Sequence, residues 1–250
     1  MSSSNWAREA LAVLAKDVRS EYRTRYAFSA VLLFAVTALA VVSFSVSPYS
    51  LDADVQAAFL WIVLFFSAMT GLSRSFVREE EARTAMSLRL TTAPEAVYMG
   101  KLLFNILLQG AVATVVVPLF LVLMDIAPAH PGLLAGATIL GTLALASSST
   151  IIAAIVSRAN ARGAIFAVLA FPVTLPGLSS AIRATTAALR SAVGSGSGLA
   201  AGAAGSAGTA TGATGAAGAP GAAGDLRALA AYSVLMIASS LLLFDFVWDD

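Results

Sequence analysis

Chemistry in this chain is bounded first by what it lacks: among 250 residues there is no cysteine and a single histidine. Disulfides, thiolate catalysis, cysteine metal sites and covalent haem attachment through CxxCH are therefore excluded. A lone imidazole also removes most metal and acid-base schemes. His130 stands on a short loop between Pro128 and Pro131, whereas durable iron ligation needs His, Cys, Met or Tyr at a fixed axial position. The six Met and five Tyr are not paired with a second candidate in an apolar segment. No residue is therefore assigned as a catalytic group, a metal ligand or a cofactor ligand. Gly100-Lys101 ends like a phosphate loop, but Glu95 stands where the motif needs Gly and Leu102 where it needs Ser or Thr. The chain cannot hydrolyse ATP by that motif and is not read as an enzyme.

What remains is a set of neutral polar groups inside apolar runs. Asn105 and Gln109 lie four apart, on one face of a helix, and Ser147, Ser148, Ser149 and Thr150 form a continuous run. Interhelical hydrogen bonds explain most such residues in membranes. Asn105 and Gln109 are also, with Pro172 and Pro176, the candidates for an intramembrane path. Each proline removes a backbone donor, so the segment that holds both is either kinked or a broken, re-entrant element. Gly132 and Gly136 make a GxxxG, which permits close approach of helices.

The elements that carry these residues follow from hydropathy. With 58% hydrophobic and 12% charged residues and a mean hydropathy of +0.85, the chain belongs in a bilayer, where a spanning helix needs roughly 20 apolar residues. Six runs qualify: Tyr26 to Val46, Val55 to Leu72, Leu102 to Met124, Leu133 to Val156, Ala164 to Ile182 and Ala228 to Val247. The first five contain no Asp, Glu, Lys, Arg or His, and the sixth only Asp245. Ion-coupled transport, which retains ionisable groups within the membrane, is disfavoured.

Charge sets the orientation. Arg8, Lys16, Arg19, Arg23 and Arg25 precede the first run; Arg74, Arg78, Arg83, Arg89 and Lys101 separate the second from the third; Arg158 and Arg162 separate the fourth from the fifth. The loops around Asp52/Asp54 and Asp125/His130 contain no Lys or Arg. The basic loops therefore face the cytoplasm, and both termini with them. Arg183, Arg190 and Arg227 weaken the pattern. The leader, residues 1–25, places Trp6, Ala10, Leu11, Leu14, Val18 and Tyr22 on one stripe, as in an amphipathic helix lying in the membrane interface; the alternative is a solvated basic helix.

The connection 73–101 is the most informative stretch. Glu79, Glu80 and Glu81 suit the positive first turn of a short helix, along which Val77, Ala82, Ala85, Met86 and Leu88 leave an apolar strip. Such a strip either docks a partner or lies on lipid. Thr92 and Glu95 have capping-box spacing with Pro94 between them, so a second helix starts there and runs through Lys101 into the third span.

Taken in order, Glu79 to Glu81, Leu88/Leu90, Pro94 and Gly100-Lys101 resemble the segment by which membrane subunits of type-2 ABC exporters meet their ATPase. Arg83 stands where that family often has Gly. Within it, the sequence is most similar to the haem exporter protein B permeases of cytochrome c maturation. The likeness is carried by Glu21 to Tyr26, Trp61, Leu72 to Phe76, Glu79 to Lys101, Asn105 and Val117-Pro118, over residues 8 to 182 and again from Tyr232.

The resemblance implies an all-α, six-span permease with an N-terminal interfacial amphipathic helix and a cytoplasmic coupling helix, in a bacterial inner membrane. Its implied partners are an ATP-hydrolysing ABC subunit, other haem-handling membrane subunits, a haem chaperone and a second copy of the permease, with no nucleic acid. The coupling residues would be Arg78, Glu79, Glu80, Glu81, Arg83, Met86, Leu88, Pro94, Gly100 and Lys101. Either haem itself is moved, or ATP-driven work releases a loaded chaperone. Rival readings are a related exporter of lipid, polysaccharide or drug, and a non-transporting scaffold.

The expected domain order is the interfacial helix 1–25, spans one to five over 26–182 including the coupling segment 73–101, an outer loop 183–227, and the sixth span with the C-terminus, 228–250. Within the loop, residues 194–224 contain no charged or aromatic residue, and Gly recurs at every third position from Gly212 to Gly224. With only Pro220 this is no collagen helix; it reads as a flexible linker. Deleting Ser197 to Gly221 should leave function nearly unchanged in a complementation assay at equal membrane abundance, because loop closure changes by only about 0.6 kcal/mol per doubling of length.

Overall fold

The computed structural model describes residues 3–24, 26–45, 51–72, 94–156, 162–190 and 221–249. Among them every regular element is helical: α1 (Ser3–Thr24), α2 (Tyr26–Ser45), α3 (Ala53–Leu72), α4 (Pro94–Leu123), α5 (Pro131–Val156), α6 (Arg162–Leu189) and α7 (Ala222–Asp249). Residues 73–93, with Arg78 through Leu88 of the expected coupling helix, lie outside the described residues, as does most of the Gly-rich linker.

Local chemistry sets the helix ends. Asp52 starts α3, its carbonyl accepting from Val55 and Gln56 N–H, with acidic Asp54 in the first turn on the positive end of the dipole. Pro94 and Pro131 occupy first positions, where a missing N–H costs nothing. α4 ends in a Schellman turn: Ile126 N–H donates to Leu121 O at 2.9 Å and Asp125 N–H to Val122 O at 3.4 Å. Asp125 takes the left-handed conformation (φ 51°) at the position where Gly is usual.

Several helices outrun their apolar segments. α4 has 30 residues, about 45 Å at 1.5 Å per residue. α6 continues past Ile182 to Leu189, and α7 begins at Ala222, so both ends of the expected outer loop 183–227, and the last residues of the 194–224 linker, are helical. Once outside lipid, polar residues can extend a helix that hydropathy alone would stop. α6 is one continuous helix through Pro172 and Pro176. Hydroxyls serve carbonyls along that stretch: Thr174 donates to Ala170 O at 2.7 Å, Ser179 to Pro176 O at 2.9 Å and Tyr232 to Val173 O at 2.6 Å.

Five helices among the described residues are long and apolar enough to cross a membrane: α2, α3, α4, α5 and α7. α6, whose side chains are described only from Val168 onward, is not among them. It nevertheless lies antiparallel to α5 from end to end. His130 N–H, just before α5, donates to Ala188 O near the end of α6, and at the opposite end only residues 157–161 join the two.

α5 is the central helix, packed by α3, α4, α6 and α7, and its lining is small: Gly141, Ala144, Ala146, Ser147 to Thr150, Ala153 and Ala154 are buried. Large apolar side chains such as Leu33, Phe44, Val122, Ile139, Val168 and Leu242 point outward. With lipid outside, helices gain nothing from hiding apolar surface from one another, and close contact of small residues must hold them. Gly132, first of the GxxxG pair, has open space beside it, and Gly136 makes ordinary contact with Leu226. The close approach is elsewhere: a Cβ on Gly141 would lie 1.9 Å from the Trp61 ring, and one on Gly177 2.7 Å from the Tyr232 ring. Gly141→Val should destabilise the folded chain by about 1–3 kcal/mol through overpacking, while Gly132→Val should be close to neutral; unfolding midpoints in detergent, read by Trp fluorescence, compare them.

Candidate functional site

The sequence-predicted residues fall at three places in the bundle. At the first, the start of α4 meets α1. Pro94 begins α4, and Gly100 lies directly under α1, where a Cβ would sit 2.7 Å from Val13 Cβ and 2.8 Å from Ala10 O. Lys101 is 2% exposed, and its Nζ is 2.9 Å from Asp17 Oδ2. One turn further along α1, buried Glu21 accepts a hydrogen bond from Phe28 N–H at 2.8 Å, capping the amino end of α2. α1 thus divides its apolar stripe. Ala10 alone of the stripe is buried, beside Val13 from outside it; Trp6 and Leu14 are half-buried, while Leu11, Val18 and Tyr22 remain exposed. Near this end Tyr98 of α4 packs on Phe244 of α7, ring centroids 5.2 Å apart.

The second place is the polar seam of α4. Asn105 Nδ2 donates to Thr150 Oγ1 at 2.8 Å, Thr150 Oγ1 in turn donates to Ala146 O at 2.6 Å, and Gln109 Nε2 donates to Leu64 O at 3.0 Å. All are buried. These bonds tie α4 to α5 and to α3, which is the interhelical role such residues most often have. Asn105 Oδ1 and Ser149 Oγ have no partner among the described residues. Pro172 and Pro176, by contrast, lie on α6, whose main partners are α5, α7 and α3. The four path candidates do not converge on a common lining.

The third place was not legible as a constellation. Trp61 of α3 is fully buried, its ring covers Gly141 of α5, and its Nε1–H donates to Thr185 Oγ1 of α6 at 2.9 Å. Tyr232 of α7 lies over Gly177 and bonds α6 between the two prolines. Trp61 and Tyr232 were visible in sequence only as landmarks of the resemblance. The signal that could have found them is their partner glycines, Gly141 and Gly177, each isolated within an apolar helix.

At the end of the bundle away from α1, Arg190 Nη2 meets Asp54 Oδ2 at 2.5 Å and Arg183 Nε meets Asp225 Oδ1 at 2.8 Å. Two of the three arginines that weakened the charge asymmetry, Arg183 and Arg190, therefore have carboxylates beside them. His130 is exposed there. Among the described residues no three His, Asp or Glu side chains converge as metal ligands.

Comparison with known proteins adds one match: a family model described as CcmB protein aligns with residues 8–220. No curated protein matches the chain.

The seam yields a test of its own. Asn105→Leu removes one interhelical bond and one unpartnered buried acceptor together. Since such bonds in membranes average about 0.6 kcal/mol, unfolding in detergent should show a change of less than about 1 kcal/mol, with membrane abundance retained. A larger loss would mean that the Asn105–Thr150 contact holds more of the bundle than a single bond.

Proposed function

The chain belongs to the CcmB protein family, a membrane component of the haem export and cytochrome c maturation ABC system, and on that premise we propose that it is the permease subunit coupled to a separate ATPase. The observation that carries this reading is the match over residues 8–220, which takes in the segment 73–101 and the bundle helices α2 to α6. In this reading the chain crosses the inner membrane six times with both termini in the cytoplasm. The antiparallel lie of α6 along α5 supports six, since a helix that pairs end to end with a spanning helix crosses the same thickness.

Two copies of the permease pair with two of the ATPase. The complex serves haem delivery to c-type cytochromes, together with haem-handling membrane subunits and a haem chaperone. Haem is cargo of the system, and this chain supplies no ligand to hold it. α1 lies against the cytoplasmic membrane surface with Leu11, Val18 and Tyr22 toward lipid. Arg78 to Leu88 meet the ATPase, and Pro94 starts the helix that receives its motion.

Reversing Glu80 and Glu81 to Lys tests the coupling surface. Charges at the rim of an interface govern association more than folding, so the double variant should insert normally and lose most of its ATPase in a pull-down from solubilised membranes. Undiminished pull-down would sink the coupling role.

A further inference from the structure

Lys101 belongs to the coupling segment by sequence, yet its side chain is withdrawn from any surface that could dock a partner: it is 2% exposed. A buried ammonium persists only when paired, and here the pair is with another helix of the same chain, Asp17 Oδ2 of α1 at 2.9 Å. We propose that Lys101 and Asp17 form a buried latch that makes α1 move as one body with the start of α4. Lys101 is then a positioning residue that acts through α1 and does not touch the ATPase. The proposal rests on the ATPase-coupled reading above.

Three features converge on it. The helices cross with no spare room, because any Cβ at Gly100 would collide with Val13 and with the Ala10 carbonyl, 2.7 and 2.8 Å away. α1 therefore cannot slide over α4 without first lifting from it. The ion pair lies one residue beyond that crossing point, and separating it would leave two charges in a poorly solvated place. On the same face of α1, one turn beyond Asp17, Glu21 grips the amino end of α2 through Phe28 N–H at 2.8 Å. A displacement of the first turns of α4, which follow residues 73–93 directly, is thus passed through α1 to the entry of α2.

The test uses the whole complex in membranes of cells that lack their own copy of the subunit. Lys101→Met keeps the stem and removes the charge; Asp17→Asn removes the partner; Asp17→Lys with Lys101→Asp reverses the pair. Three quantities are read at equal membrane abundance: ATPase co-purified per chain, ATP hydrolysed per complex, and c-type cytochrome formed. The single variants should keep their ATPase and its hydrolysis while the ATP consumed per cytochrome rises about tenfold, the scale on which residues remote from both sites alter coupling. The reversed pair should return that ratio most of the way to wild type. A purely structural role would lower abundance and leave the ratio unchanged, which overturns the proposal. Loss of ATPase association in Lys101→Met would also overturn it, by placing Lys101 in the docking surface.

Spin labels on cysteines placed at Leu11 and Leu107, both exposed, give a readout independent of the ATPase. Their distance distribution should be narrow in the otherwise wild-type chain and broad in Lys101→Met. An unchanged distribution removes the latch. A broadened one, with no ATPase retained even by the wild-type complex, removes instead the reading that the subunit couples to an ATPase. Should Lys101→Met fail to accumulate, Asp17→Asn supplies the same measurements from the other side of the pair.

Discussion

The bundle depends on one contact above the others, the indole of Trp61 laid over Gly141. It brings three helices to a single point: α3 supplies the ring, α5 the gap for it, and α6 the hydroxyl of Thr185 that receives its N–H. In water a buried tryptophan would hold by the apolar area it hides. In lipid that term vanishes between helices, and what remains is dispersion over a close fit and one hydrogen bond with no water to compete for it. α5 can be so central because its facing side chains are small. Their size lets four neighbours approach, and its hydroxyls bond back to its own carbonyls, as Ser148 does to Ala144 O at 2.7 Å.

The helices themselves were legible in the sequence because hydropathy answers a coarse question, and the bilayer asks only that question. Their ends were less so. Arg183 marks the end of a hydrophobic run and not the end of α6, since a helix continues wherever its backbone bonds are met. The two prolines left kink and break equally open; the tyrosine that bonds the backbone between them comes from α7, far along the chain, and no local spacing reveals it. Asn105 and Gln109 were correctly placed on one face, but that face proved to be divided between α5 and α3.

Lys101 shows a different limit. From spacing it is one more basic residue in a cytoplasmic segment. Its burial depends on α1 crossing at Gly100, and on Asp17 arriving there, a meeting of residues far apart in sequence. The outer arginines follow the same logic in reverse. Arg183 and Arg190 look like exceptions to a rule of charge until their carboxylate neighbours are seen, although pairs so exposed to solvent add little to stability.

The ring of neighbours around α5 has one more consequence, for the way the surrounding bilayer acts on the protein. A helix enclosed on four sides takes its tilt from protein contacts and is screened from membrane thickness. α2 and α7 present most of their length outward, and mismatch with the local hydrocarbon thickness, a fraction of a kcal/mol per Å, is felt by them. The lipid environment therefore grips the molecule by its first and last spanning helices, while the polar seam between α4 and α5 stays insulated from it.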